Sequence, residues 1–277
     1  MNIRFEKPCA LLQPFIECYW SWESHKSENE QHNLLRVIPS TNMEVVLYYK
    51  MPFSFLDLKG NCHQLPQSHI VFWMNESFLL SLPKGKEIGF VAIRFRPGCF
   101  RHFYKGITDE LIETFLPMPE VWGTSGMELA DRVMDATYFE ERIRLIESFL
   151  LEQLALNVKN NDMINYAVTA LLKHTGNIKI GDIIHSSHVG ERQFQRLFRQ
   201  SIGIPAKQFQ RLVRFESTIK QLMRNHNLDP LTTILEHGYY DESHFYKEFQ
   251  HFIPTTPRDL LLDKRYMSLF YNTPTEG

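Results

Sequence analysis

The chain has 277 residues, 43% of them hydrophobic and 22% charged, which is ordinary for a folded protein and long enough for two domains with separate cores. The formal net charge of −2 argues against a polyanionic partner for the chain as a whole, yet 16 Lys and Arg stand against 20 Asp and Glu up to residue 159, and 14 against 12 beyond it. No run of ~18 apolar residues suggests a membrane span, and MNIRFEKPCALLQPF has no signal-peptide character, so a cytoplasmic protein without membrane contact is expected.

From the N-terminus, residues 14–22 mix aromatic and β-branched side chains at near-alternate spacing and predict a strand. A polar patch over 23–33 predicts a loop. Strands are predicted at 36–40 and 43–49, separated by a Ser-Thr-Asn turn, and further ones at 69–73, 77–81 and 89–95. Short strands in this succession imply an antiparallel barrel or sandwich. Cys9, Cys18, Cys62 and Cys99 form no CxxC pair, so free buried or half-buried thiols are expected rather than a zinc or redox motif. His63 and His69 lie six apart with no HxH, so neither a metal site nor a cofactor is expected.

The pattern changes after Pro97. Residues 98–104 and 108–115 predict short helices, the second capped by Thr108 and stopped by Pro117 and Pro119. Helices follow over 126–136 and 139–158, and in the longer one Phe139, Ile143, Ile146, Leu150 and Leu154 form an apolar seam. Two readings of the seam stay open: packing on its own β-domain, or a homodimer contact through Ile143, Ile146, Leu150 and Leu154. The polar stretch 158–162 is the best domain boundary. Asp162 is predicted to cap a helix over 163–173, ended by the glycine turn Thr175-Gly176-Asn177.

The C-terminal part contains an internal repeat. A shift of 51 positions lays Gly190, Phe194, Phe198, Gly203 and Phe209 onto Asp241, Phe245, Phe249, Pro254 and Leu260, and Ile183 onto Ile234. Each copy predicts a short helix, a turn and a second helix with aromatic anchors, which is the pattern of a helix-turn-helix. In GERQFQRLFRQSIG (residues 190–203), Phe194, Leu197 and Phe198 make one stripe while Arg192, Gln195, Arg196 and Arg199 share the other face. Arg fits the O6/N7 edge of guanine and Gln the N6/N7 edge of adenine, as a helix in a major groove requires. No nucleotide-binding loop and no nucleophile with a base and an orienter stands out, so no catalytic residue is expected and the protein is not read as an enzyme.

The stretch IKIGDIIHSSHVGERQFQRLFRQSIGIPAKQFQRLVRFESTIKQLM, followed by LTTILEHGYYDESHFYKEFQHFIPTTPRDLL, resembles the DNA-binding domain of the AraC/XylS transcription regulators. The signature of the second copy is Gly238-Tyr-Tyr-Asp-Glu-Ser-His-Phe245 with Phe249 and Pro257. The resemblance implies two helix-turn-helix units joined by one long helix, each presenting a recognition helix to double-stranded DNA. Carried over residue by residue, it assigns base or phosphate contact to Arg192, Gln195, Arg196 and Arg199 in the first unit and to Glu242, Ser243, His244 and Lys247 in the second. Pro254 and Ala206 depart from the family's glycine and proline, so the turn after the second recognition helix must be built differently. Arg214 is read as a structural ion pair. The Cys-Tyr-Trp near the start, Arg-Val-Ile-Pro, and residues 90–98 resemble the cupin-like N-terminal sensor domains of a subgroup of these regulators.

The expected architecture is α+β and multidomain: a β-rich, cupin-like antiparallel barrel over 1–125, a helical connector over 126–160 with a dimerisation role, an all-α DNA-binding domain of two helix-turn-helix units over 161–265, and a tail over 266–277. The expected function is a sequence-specific transcription regulator controlled by a small-molecule effector, with DNA, a second copy of the chain and RNA polymerase as partners. Two alternatives stay open: an N-terminal domain that only dimerises or binds a partner protein, and a cupin-type enzyme fused to a DNA-binding module.

Overall fold

In the computed structural model, which describes residues 2–24, 34–57, 60–74, 76–111, 115–157, 161–187, 189–224 and 229–262, ten strands precede nine α-helices. The expectations for 25–33, 112–114, 158–160, His188 and 266–277 lie outside these residues. The strands are β1 (Asn2–Glu6), β2 (Ile16–Ser24), β3 (Leu34–Val37), β4 (Glu44–Tyr48), β5 (Ser54–Leu56), β6 (Cys62–Gln64), β7 (Ser68–Val71), β8 (Phe78–Ser81), β9 (Ile88–Phe95) and β10 (Phe115–Pro117). They form two sheets, ordered β1-β2-β9-β4-β7-β10 and β3-β8-β5-β6, with every ladder antiparallel. Among the described residues no ladder joins the two sheets. The expected closed barrel is not formed by the described residues: the strands make two separate sheets that share one apolar core between them.

The alternation of β9 shows why the larger sheet is central. Ile88, Phe90 and Ala92 face the smaller sheet with Trp20, Trp22, Val46 and Tyr48, while Val91, Ile93 and Phe95 face the helices. All eight residues of β9 are buried, because both faces of the sheet are covered. Tight T-shaped aromatic pairs such as Trp20 with Phe90, at 4.9 Å between centroids, fill the space between the sheets.

The helices covering the other face are α1 (Met118–Asp135) and α2 (Phe139–Leu156). Two expectations change here. Pro117 and Pro119 begin α1 instead of ending a preceding helix: Pro117 is its N-cap and Pro119 stands in its first turn, where a missing N–H costs nothing. Before them, residues 108–111 make a single 3-10 turn and 115–117 a strand paired with β7, because pairing to an open sheet edge outweighs local helix propensity. On α2, Ile143 is 6% exposed and Ile146 and Leu150 0%, all inside the core shared with the sheet and α1, with Leu154 half-buried beside it. Of the two readings of the apolar seam, the structure places these side chains in intrachain core, and Glu140, Arg144, Ser148 and Glu152 face outward. Cys18 is buried, Cys9 and Cys99 half-buried, and Cys62 is exposed, contrary to expectation, because it sits on the short β6 at the edge of the smaller sheet.

The remaining helices are α3 (Asp162–Lys173), α4 (Ile180–Ser186), α5 (Glu191–Ile202), α6 (Ala206–Arg224), α7 (Pro230–Glu236), α8 (Glu242–Phe252) and α9 (Pro257–Leu262). Asn161, not Asp162, caps α3, accepting the Ile164 N–H. The repeat of 51 is visible in the caps: Gly190 caps α5 and Asp241 caps α8, and Phe194/Phe245, Phe198/Phe249 and Ile183/Ile234 are buried in pairs. Among the described residues no helix is long and apolar enough to cross a membrane.

Candidate nucleic-acid interface

The helix α5 is held by one face. Phe194 and Phe198 are fully buried, their rings 5.8 Å apart, and Phe198 packs edge-on against Phe209 of α6. The opposite face carries Arg192, Arg196 and Arg199 in solvent, with Gln195 half-buried between them. Arg192 and Arg196 have no hydrogen-bond or ion-pair partner among the described residues, so both guanidinium forks are open. Arg199 is different: its Nε lies 3.4 Å from Asp109 Oδ2, on the turn before α1. The structure thus groups all four predicted residues on one face, with Arg199 drawn to its C-terminal end.

In the second unit Glu242, Ser243, His244 and Lys247 are all exposed along α8. Asp241 accepts the His244 N–H at 2.7 Å, and His244 Nδ1 accepts the Tyr240 N–H at 3.3 Å, which commits that ring nitrogen to the local turn. The charge balance differs from what spacing suggests. Glu248, which in the sequence sits beside Lys247, is buried and turned to α6, where Arg211 Nε donates to it at 2.9 Å and Arg214 forms bonds of 2.8 and 2.9 Å. The Tyr239 hydroxyl adds a fourth donor at 2.9 Å, and the Arg214 guanidinium stacks 4.5 Å from the Tyr239 ring. Burial alone would raise the Glu248 carboxyl, but Arg214, Arg211 and Tyr239 hold it below the usual range. This cluster ties α8 to the linking helix and commits Arg211 and Arg214 to an intrachain ion-pair network. Arg214 is structural, as expected.

The first unit is tied to the same helix by an amide instead. Gln210 donates to the carbonyls of Gly176 and Ile178, at the entry to α4. The two units also end differently. After α5, Gly203 takes the left-handed conformation at φ 99°, whereas after α8 Ile253 is extended at φ −135°. The departure at Pro254 is accommodated in this way, since proline cannot follow into a left-handed turn.

A set of contacts that spacing does not disclose joins this domain to the β-domain. Trp73 Nε1 donates to the Ile202 carbonyl at 2.6 Å, Thr108 Oγ1 to Ser201 at 2.8 Å, and the Ser77 N–H to Phe252 at 2.7 Å. The carbonyls left open at the C-terminal ends of both recognition helices are therefore taken by donors of the N-terminal domain. At the middle of α6, Glu216 is 4% exposed and accepts from the Thr41 N–H at 2.8 Å and the Thr41 hydroxyl at 2.6 Å, with Lys220 Nζ at 2.8 Å. Thr41 belongs to the turn between β3 and β4 that the sequence predicts as Ser-Thr-Asn. A lone acid among the basic residues of α6 is the only sequence signal for this lock.

Two-domain architecture with a tandem helix-turn-helix surface is what the geometry defines, and the comparisons agree with it. The family described as a helix-turn-helix domain matches residues 184–262, and a domain of unknown function (DUF6597) matches residues 4–117. The matched segment spans the α5 and α8 recognition helices on either side of α6, and it is similar to a helix-turn-helix domain. No curated protein matches the sequence. Solved structures of ToxT from Vibrio cholerae are similar: one at 12% identity, covering 88% of this chain and 97% of that one with a TM-score of 0.48, and one bound to (E)-4-(8-methylnaphthalen-1-yl)but-3-enoic acid at 11% identity, covering 95% and 99% with a TM-score of 0.48. A third, of ToxT with a bound unsaturated fatty acid, has 11% identity over 87% and 93% of the two chains and a TM-score of 0.45. Among the described residues no group of three or more His, Cys, Asp and Glu side chains is placed to hold a metal.

Proposed function

We propose that the protein is a sequence-specific DNA-binding transcription regulator whose N-terminal domain controls the DNA-binding domain through the contacts at Thr41, Trp73 and Thr108. The observation that carries the reading is the α5 face: Arg192 and Arg196 open to solvent, Phe194 and Phe198 anchoring the helix from behind, inside a segment matched by a helix-turn-helix family. Arg192, Gln195 and Arg196 read base edges, Arg199 positions the helix on phosphate, and Ser243, His244 and Lys247 of α8 contact the next stretch of groove, with Glu242 accepting from cytosine or facing solvent. The cupin-like character of the β-domain and its role as an effector-binding module belong to the same proposal. What supports them is the cavity between the sheets, whose wall includes Ile38, Ser40 and Asn42 on either side of the Thr41 that holds Glu216. A molecule in that cavity adjoins the turn through which α6 is held.

Selection of duplexes from a random pool by the full chain tests the reading. A recurring preferred site, with affinity falling by roughly 0.9 log units per log unit of salt for each phosphate neutralised, supports it. Recovery of random sequence alone removes it.

A further inference from the structure

The start of α8 is built as a reciprocal cap. Asp241 Oδ1 accepts the His244 N–H at 2.7 Å, and His244 Nδ1 accepts the Tyr240 N–H at 3.3 Å, the role that a Glu or Gln side chain plays in the usual capping box. A backbone N–H can only donate, so Nδ1 is the bare nitrogen and the ring hydrogen of the neutral imidazole sits on Nε2. The helix start thereby sets the tautomer of the ring.

The ring is held from a second side. Tyr239, 3% exposed, meets it with centroids 5.3 Å apart and planes at 70°. Tyr239 is itself fixed by its hydroxyl bond to Glu248 at 2.9 Å and by the Arg214 guanidinium over its ring. The orientation of His244 is thus tied through buried Tyr239 and Glu248 to the linking helix α6, and a ring so held has little rotamer freedom left to lose on binding. His244 is nonetheless exposed, and Nε2 has no partner among the described residues. It presents a fixed N–H donor, with no free acceptor, near the N-terminal end of α8, the end at which recognition helices meet base edges.

Gln193, the residue 51 positions earlier in the first unit, is exposed as well, but none of the described residues holds its side chain. A free amide can turn either its donor or its acceptor outward. Fixing the tautomer of His244 removes that choice in the second unit.

The four bases offer such a donor different edges. Guanine presents N7 and O6, two adjacent acceptors. Adenine sets an amino donor beside N7, cytosine presents an amino donor, and thymine O4 stands beside the C5 methyl, which crowds a flat ring. Building on the DNA-binding reading of α8, we propose that His244 is the base-reading residue of the second unit and selects guanine, donating from Nε2 to the N7/O6 edge.

The full chain at fixed salt tests this on the duplex it selects from a random pool. His244→Asn keeps an oxygen close to the place of Nδ1, so the Tyr240 N–H retains its acceptor, but the side chain stops short of Nε2. Reselection with this variant is expected to erase preference at one position, a guanine in the wild-type site. At that guanine, 7-deazaguanine removes N7 and 2,6-diaminopurine replaces O6 with an amino group. At least one analogue is expected to weaken the wild type roughly fivefold, the net worth of one hydrogen bond, and to leave His244→Asn unchanged. If the variant does not fold, the ring nitrogen resonances of wild-type His244 decide: Nε2 must carry the hydrogen in the free chain and must shift on the natural duplex more than on the analogues. A hydrogen on Nδ1 instead, an adenine, cytosine or thymine at the dependent position, or equal sensitivity of variant and wild type to both analogues overturns the proposal. A selected site whose preferences all survive His244→Asn overturns it and leaves the regulator reading standing, whereas failure of the full chain to select any site removes both.

Discussion

Arg196 and Lys247 occupy equivalent places on the two recognition helices, yet their surroundings differ. Arg196 stands between Arg192 and Arg199 on a face with three exposed arginines, whereas Lys247 is the only Lys or Arg on the exposed face of α8 and shares it with Glu242. Glu248 does not weaken Lys247, because Arg211 and Arg214 already neutralise it. Arg196→Ala is expected to cost about 1–3 kcal/mol and to relax preference at one base position, and Lys247→Ala to cost less and weaken all sequences evenly. Titration of both variants against a selected and a scrambled duplex at fixed salt checks the order, and a larger loss for Lys247→Ala reverses it. A second residue-scale expectation concerns His69. Its pKa falls from 6.5 to about 4 on folding because burial disfavours the charged ring, so the folded state binds fewer protons than the unfolded chain between those values. Stability is therefore complete above pH 6.5 and declines as pH falls toward 4, by on the order of 3 kcal/mol. Denaturant midpoints across this range should show the slope, and His69→Gln should flatten it.

At the scale of elements, α2 and α8 are each defined by what they bury. With Leu150 0% exposed inside the core, Leu150→Glu is expected to unfold the β-domain, where a free seam would instead have yielded a folded monomer; circular dichroism and sedimentation of the variant separate the two. In α8, Glu248→Ala leaves Arg211, Arg214 and Tyr239 without their shared acceptor, and breaking a buried pair from one side costs about 3–5 kcal/mol. Because Arg211 is about a third exposed, the lower end applies. The second unit should loosen from α6 while the first keeps its shape, which hydrogen exchange resolves as lost protection confined to α7 and α8. The Glu248 carboxyl is held below its usual range, so this contribution is present above the unfolded carboxylate pKa and is lost as pH falls beneath it.

Across the whole molecule, the linking helix is the shared part. It carries Phe209 against Trp73, Gln210 against the entry to α4, Glu216 against Thr41, and Arg214 against Glu248. The linking helix therefore holds the β-domain through Phe209 and Glu216, beside the contacts at the C-terminal ends of α5 and α8. Glu216→Gln keeps the size but removes the charge that Lys220 and the two Thr41 donors hold below the ordinary carboxylate range despite its burial. Weaker docking is expected, visible as faster exchange of the Thr41 amide and as a change in DNA affinity of the full chain. An unchanged exchange rate argues that Trp73 and Thr108 hold the domains without it.

Local chemistry made much of this legible. The aromatic anchors Phe194, Phe198, Phe245 and Phe249 and the 51-residue offset specify two helix-turn-helix units, because helical periodicity and capping act over a few residues and do not depend on distant partners. The near-continuous apolar run in 89–95 likewise marks β9, since a strand covered on both faces must place apolar side chains both ways. Short strands were not legible: β5, β6 and β10 have three residues each, too few for a period, and exist because a neighbouring strand offers hydrogen bonds. The prolines at 117 and 119 were legible as punctuation but not in direction, as the same residues that end one helix suit the start of the next. Which side of α2 meets the sheet, that Glu248 and Glu216 turn inward to their partners, and that Glu44 and His69 face one cavity were decided only by tertiary structure. A charge or ring reads as surface until the fold brings it a partner from far along the chain, and Glu216 and Thr41 are 175 positions apart.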